Sequence, residues 1–207
     1  NLNQFIQAEK ITKDLNPTYG SIQKLYQRNT DLVTLCEDKV LKILANKDAL
    51  YNADGKPNLT ATENVLGQAT PFAGDWGISK NPESFVTESY RAYFTDRQRG
   101  VVLRLSQDGL TPISDLGMKD WFADNLKAQI GILSNYQNKA KLVGSWDGKK
   151  EEYNLSITKL YDQGRVETKT TLSFSEKTKG WISFKSFNPE SGVSLNNEYF
   201  TFKGGNL

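Results

Sequence analysis

Histidine is absent from all 207 residues, and cysteine occurs once. The first absence removes the commonest general base, the usual partner of a nucleophilic serine or cysteine, and the commonest zinc ligand. Carboxylates alone can still run glycoside hydrolysis, so catalysis is narrowed rather than excluded. The single thiol, Cys36, sits in an apolar stretch and has no partner for a disulfide within the chain. It reads as a packed core thiol, and stability must come from burial rather than cross-links. No apolar run is long enough to read as a membrane-spanning helix. Nor does one charge dominate: 26 basic and 24 acidic residues give a net +2, with the signs mixed throughout. The basic arm or face that nucleic-acid binding requires is missing.

What is present is one unit written four times, a strand, a charged tight turn and an answering strand. It reads LVTLC-EDK-VLKIL at 32–44 and YRAYF-TDRQRG-VVLRLS at 90–106. It returns as KLVGSW-DGKK-EEYNLSI at 141–157 and TLSF-SEKTKG-WISFKSF at 171–187. Alternating apolar and polar residues on both arms predict antiparallel hairpins with one buried face. The fold class expected is mainly β, made of hairpins and meanders in a propeller-like arrangement or an irregular β-sandwich. The turns are too unevenly spaced for a strict repeat array.

Between these units the signals are less regular. Residues 1–30 read as an N-terminal connecting segment, with partly helical spacing at Phe5, Ile6, Ile11 and Leu15 broken by Asn16-Pro17-Thr18-Tyr19-Gly20. Residues 21–26 fit either a short helix or a first strand. Residues 31–207 read as one β-rich, propeller-like region. Residues 52–82, rich in Gly, Asn, Asp, Thr and Pro, predict a long loop of the kind that packs on a neighbour. One short helix is predicted near 115–127, with Ser114 as N-cap and an apolar stripe of Met118, Trp121, Phe122 and Leu126. A last strand pair is expected around Asn196-Asn197. A start at Asn1 and an end at Gly204-Gly205-Asn206-Leu207 read as cuts through a longer polypeptide.

The candidate sites are weak. Asn52-Ala53-Asp54-Gly55 begins like a calcium loop, but Glu63 is the only acid downstream within reach, so a turn is the better reading. Arg97 and Arg99 could grip a carboxylate or phosphate, yet Asp96 is placed to pair one of them, with Gly100 supplying a positive φ. Glu37-Asp38 and Glu151-Glu152 read as solvated turn charges, because neighbours on a strand point to opposite faces and cannot act as one acid pair. Asn58-Leu59-Thr60 and Asn154-Leu155-Ser156 are glycosylation triplets of the kind that arise by chance. The many aromatic residues fit strand-face packing. No residue set reads as catalytic, cofactor-binding or metal-binding.

Several phrases carry a family resemblance. They are NKDALYNADG at 46–55, GISKNPESF at 77–85, YRAYFTDRQRGVVLRLSQDGLTPISDLGM at 90–118, GSWDGKKEEYNLSI at 144–157 and KGWISFKSFNPESGVSLNNEYFTFKGG at 179–205. Together they resemble virion structural proteins of tailed double-stranded DNA bacteriophages, of the tail stabilisation or tail nozzle type found in crAss-like and related marine phages. The resemblance implies a propeller-bearing tail component, without catalytic activity or cofactor. It would form a ring with other copies around the DNA exit channel and contact neighbouring tail proteins. DNA would pass through without sequence-specific recognition. Two rivals are a receptor- or glycan-binding module, with Trp76 or Trp146 exposed beside free Asn or Asp, and a glycan-degrading enzyme using two carboxylates.

The strand faces themselves can be tested. Trp181→Ala should cost about 3–5 kcal/mol as a large core aromatic, whereas Glu151→Ala should change stability by less than about 0.5 kcal/mol. Denaturant melts of the two variants check the order, and the reverse order would mean the faces are misassigned.

Overall fold

A computed structural model describes residues 12–28, 31–44, 50–51, 57–58, 66–127, 141–161 and 166–206. The first strands are β1 (Ile22–Arg28), β2 (Asp31–Cys36), β3 (Val40–Leu44), β4 (Leu50–Tyr51), β5 (Pro57–Asn58) and β6 (Ala69–Pro71). Then follow β7 (Val86–Glu88), β8 (Arg91–Asp96), β9 (Val101–Ser106), β10 (Gly109–Pro112) and a helix, α1 (Lys119–Leu126). The remaining strands are β11 (Lys141–Asp147), β12 (Glu152–Tyr161), β13 (Val166–Ser175), β14 (Gly180–Lys185), β15 (Ser191–Leu195) and β16 (Glu198–Phe202). Every pairing between them is antiparallel. The chain divides into two compact units, Asn1–Asp75 and Trp76–Leu207.

In the first unit β1, β2, β3 and β6 form one sheet in that order. Residues 21–26, open between helix and strand on sequence alone, fall largely in β1. The Asn16-Pro17-Thr18-Tyr19-Gly20 break is a 3-10 turn: the Asn16 side chain accepts from the Thr18 amide at 3.0 Å, and Gly20 closes it with φ 74°. Val33, Leu35, Cys36, Val40, Leu41 and Ile43 are buried. Cys36 is free, and burial, with Glu37 adjacent, pushes its thiol pKa up. At the far end of β2, the Asp31 carboxylate lies 3.3 Å from Lys42 and 3.6 Å from Arg28.

The second unit holds two four-stranded meanders, β7–β8–β9–β10 and β11–β12–β13–β14, and a ribbon, β15–β16. The meanders pack face to face. Tyr93 and Val102 come from one, Tyr153, Leu155, Leu172 and Phe174 from the other, and Ile113, Phe122 and Leu126 close the end of the core. Burying each such side chain contributes about 1.5–3 kcal/mol. This is the irregular-sandwich form of the expected mainly-β class. None of the sheets closes into a barrel, and the radial arrangement of a propeller is not seen among the described residues.

The helix stripe lies as predicted: Phe122 and Leu126 are buried, while Met118 and Trp121 pack on the core. Ser114 does not cap the helix. It is buried in a 3-10 turn, Ile113–Asp115, because Gly117 adopts φ 82° and stops the helical run before Lys119. The Met118 side chain makes no capping bond. Trp181 is half-buried, with its ring 4.6 Å from Phe122 and its indole N–H donating to the Ile113 carbonyl at 2.9 Å.

Gly144 shows how closely the sheets approach. A Cβ built there would stand 2.1 Å from the Ser84 carbonyl oxygen, in the backbone of the 3-10 turn Pro82–Ser84. Gly144→Ala should therefore destabilise the protein by about 3 kcal/mol, since backbone cannot yield as a flexible side chain can. A urea melt reads this directly, and an unchanged midpoint would contradict the packing of β11 on that turn.

Candidate functional site

The 95–100 hairpin tip is an internally tied loop. The Asp96 carboxylate is fully buried and accepts from the Gly77 amide at 3.0 Å, the Ser79 hydroxyl at 2.8 Å and the Arg99 amide at 3.2 Å. Arg99 Nη1 pairs with it at 2.9 Å, and Gly100 has φ 70°. Arg99 is thus committed to its own turn. Arg97 is partly buried, which pulls its pKa down. The two guanidinium groups do not form an open anion grip.

The acids divide in the same way. Glu37 accepts from the Ser21 amide and hydroxyl. Glu151 is exposed at φ 58°, 3.8 Å from Lys177. Glu152, expected as a solvated turn charge, is instead buried and paired with Lys185 at 2.9 Å. The reason is that β12 is covered on both faces, so its polar side lies inside too. Asn154 belongs to that inner side and accepts from Ser173, so its glycosylation triplet is inaccessible. The calcium-like stretch at 52–56 and the remainder of the triplet at 59–60 lie outside the described residues, as does Glu63.

The tryptophans proposed for sugar stacking are turned inward. Trp146 stacks on Tyr93 at 5.5 Å, and Tyr93 on Tyr153 at 4.9 Å. Trp76 is half-buried. Between α1 and β12–β13 lies a cleft of about 60 Å³, lined by Trp121, Asn125, Ile157, Lys159, Thr168 and Thr170. Lys159 donates to Asn125 at 2.6 Å across it. It has room for a few waters but not for a substrate-sized molecule. Among the described residues no three His, Cys, Asp or Glu side chains gather as a metal site.

The most concentrated electrostatics centre on Glu176, in the turn between β13 and β14. Its carboxylate accepts from the Tyr93 hydroxyl at 2.6 Å and from Arg104 Nη1 at 3.0 Å, with Arg91 Nε at 3.8 Å. Arg91 also bonds Glu88 at 3.1 Å and covers the Tyr90 ring at 4.6 Å. The cluster joins one sheet to the other. Sequence reading missed it, although alternation along β8 and β9 puts Arg91, Tyr93 and Arg104 on one face. Nothing local could have brought Glu176 to them. The arrangement holds a sandwich together and offers no free acid–base pair.

The model of the family described as Crassvirus muzzle protein matches residues 9–205. The chain belongs to this family. No curated protein matches it. The chain is accordingly a structural component of a crAss-like phage virion, and a structural virion family is consistent with a protein that is not an enzyme. No helix among the described residues is long and apolar enough to cross a membrane.

The tyrosine stack makes a pH prediction. Burial pushes the Tyr93 and Tyr153 phenols above their ordinary pKa of 10.0, and the bond to Glu176 raises Tyr93 further. The unfolded phenols ionise first, so this stabilisation is fully present below about pH 10 and is lost as pH rises beyond it. Tyr153→Phe should flatten the alkaline limb of the melt between about pH 9 and 11, while losing about 1 kcal/mol near neutrality with its bond to the Ser84 carbonyl. An alkaline limb as steep as the parent's would refute the assignment.

Proposed function

We propose that the chain is a non-enzymatic subunit of the phage tail, of nozzle or stabilisation type. It forms a ring around the DNA exit channel and contacts neighbouring tail proteins. The family match over 9–205 carries this reading. The fold supports it: face-to-face meanders, clamped by the Glu176 cluster, make a stiff block suited to a ring. Balanced charge suits a channel wall that must not hold passing DNA, because Lys/Arg neutralisation of phosphates is what gives non-specific DNA affinity. A cyclic assembly would use head-to-tail contacts between two different patches of each subunit. A glycan-binding role would need open aromatic platforms, and Trp146 lies against Tyr93 instead.

Electron cryo-microscopy of intact particles, with density traced through residues 90–118, tests the proposal. Symmetric copies around the tail axis are expected. Finding the chain only at a peripheral fibre tip, or missing from particles, would overturn it.

A further inference from the structure

The β15–β16 ribbon is inverted relative to an ordinary surface ribbon. Its inner face is polar. The Tyr199 hydroxyl meets Ser145 Oγ at 2.7 Å, and Ser194 Oγ donates to the Trp146 carbonyl at 2.7 Å while accepting from the Gly148 amide at 2.8 Å. Gly192 lies on the same face, where a Cβ would stand 2.9 Å from Ser145 Cβ. The opposite face therefore carries Val193 and Leu195 from β15 with Phe200 and Phe202 from β16, and Val193 is paired directly with Phe200. Val193 is 45% exposed, Leu195 62% and Phe202 40%.

A half-solvated antiparallel sheet normally turns its polar side to water. Here a one-residue slip would restore that order, yet the register is pinned. The turn residues Asn196 and Asn197 both have positive φ, as a tight two-residue hairpin requires, and the inner polar contacts hold each strand. A ribbon of two strands is also marginal alone, and among the described residues β16 has no second ladder partner.

The matching surface is on the same chain. β1 is an edge strand of the first unit's sheet, and it leaves Ile22 52% and Leu25 54% exposed. We infer that the outer face of the ribbon receives the β1 edge of a second copy of this chain. Joining them covers apolar side chains on both partners and gives an unpaired strand edge a partner. The net charge of +2 sets up little repulsion between copies. Because the two patches differ, the contact is head-to-tail and repeats from copy to copy. This rests on the ring reading and names the surfaces that build the ring.

Sedimentation analysis of the full chain tests it with two variants, Val193→Lys/Leu195→Lys on the ribbon and Ile22→Lys/Leu25→Lys on β1. All four positions are exposed, so melting temperatures should stay close to the parent's. The parent should associate with rising concentration in the micromolar range, and each variant alone should stay monomeric. An equimolar mixture should form pairs, since it contains one intact ribbon face and one intact β1 edge that can meet once. If a double variant melts early, Leu195→Ser and Leu25→Ser replace it, and a several-fold weakening is expected from each. A β1 variant that associates like the parent would show ribbon meeting ribbon and overturn the inference. So would a ribbon variant that associates like the parent, a mixture that stays monomeric, or a parent that never associates. In the last case the ring reading still stands or falls on the virion density alone.

Discussion

The constraint on which the second unit depends is that β12 and β13 are buried on both faces. One face is apolar, and Tyr153 on it stacks against Tyr93 of the opposing sheet at 4.9 Å. The other face is polar and equally enclosed: Asn154 bonds Ser173, and Ser156 bonds Thr171 at 2.8 Å, which in turn donates to Asn188 at 3.1 Å. A buried polar group left without a partner costs about 1–3 kcal/mol, so such a layer tolerates only the register that satisfies it. The apolar face supplies the driving force, and the polar face selects a single alignment.

The Glu176 cluster extends this logic to the rim. It ties the turn after β13 to β8 and β9 through a carboxylate, two guanidinium groups and a phenol, and the Tyr93 ring belongs at once to the core and to the cluster. Ion pairs in the open contribute little. This one is largely enclosed and anchored by a hydrogen bond of 2.6 Å, so it acts on geometry, holding two sheets against sliding. Resistance to shear is what a virion component needs more than high net stability.

How much was legible in the sequence follows from the range of each interaction. The four hairpins, the Asn196-Asn197 turn, the Asp96–Arg99 tip and the helix stripe depend on residues close together in the chain, and alternation or turn chemistry announces them. Three features were illegible for a common reason. Glu152 reads as a surface charge unless Lys185 is known to lie beside it, 33 residues away. Glu176 finds Tyr93 across 83 residues. Ser114 has the right identity for a helix cap, but Gly117 entering the left-handed region overrides it. Balanced composition hid the burial of polar strand faces, since serine and threonine on alternate positions look the same whether solvent or another layer covers them.

The polar layer and the inverted ribbon are two sides of one arrangement. If the ribbon turned its phenylalanines inward, Ser145, Asn154 and Tyr199 would lose the partners that make their burial tolerable. With the polar side fixed inward, alternation along β15 and β16 must send Val193, Leu195 and Phe202 outward. Internal satisfaction of hydrogen bonds thus creates the exposed apolar face, and no extra device is needed to present it. A protein that worked alone would gain by placing charges at those outer positions, which touch nothing inside it. Their apolar character has a physical rationale only if another surface covers them, and for a member of a virion family that surface belongs to the assembly.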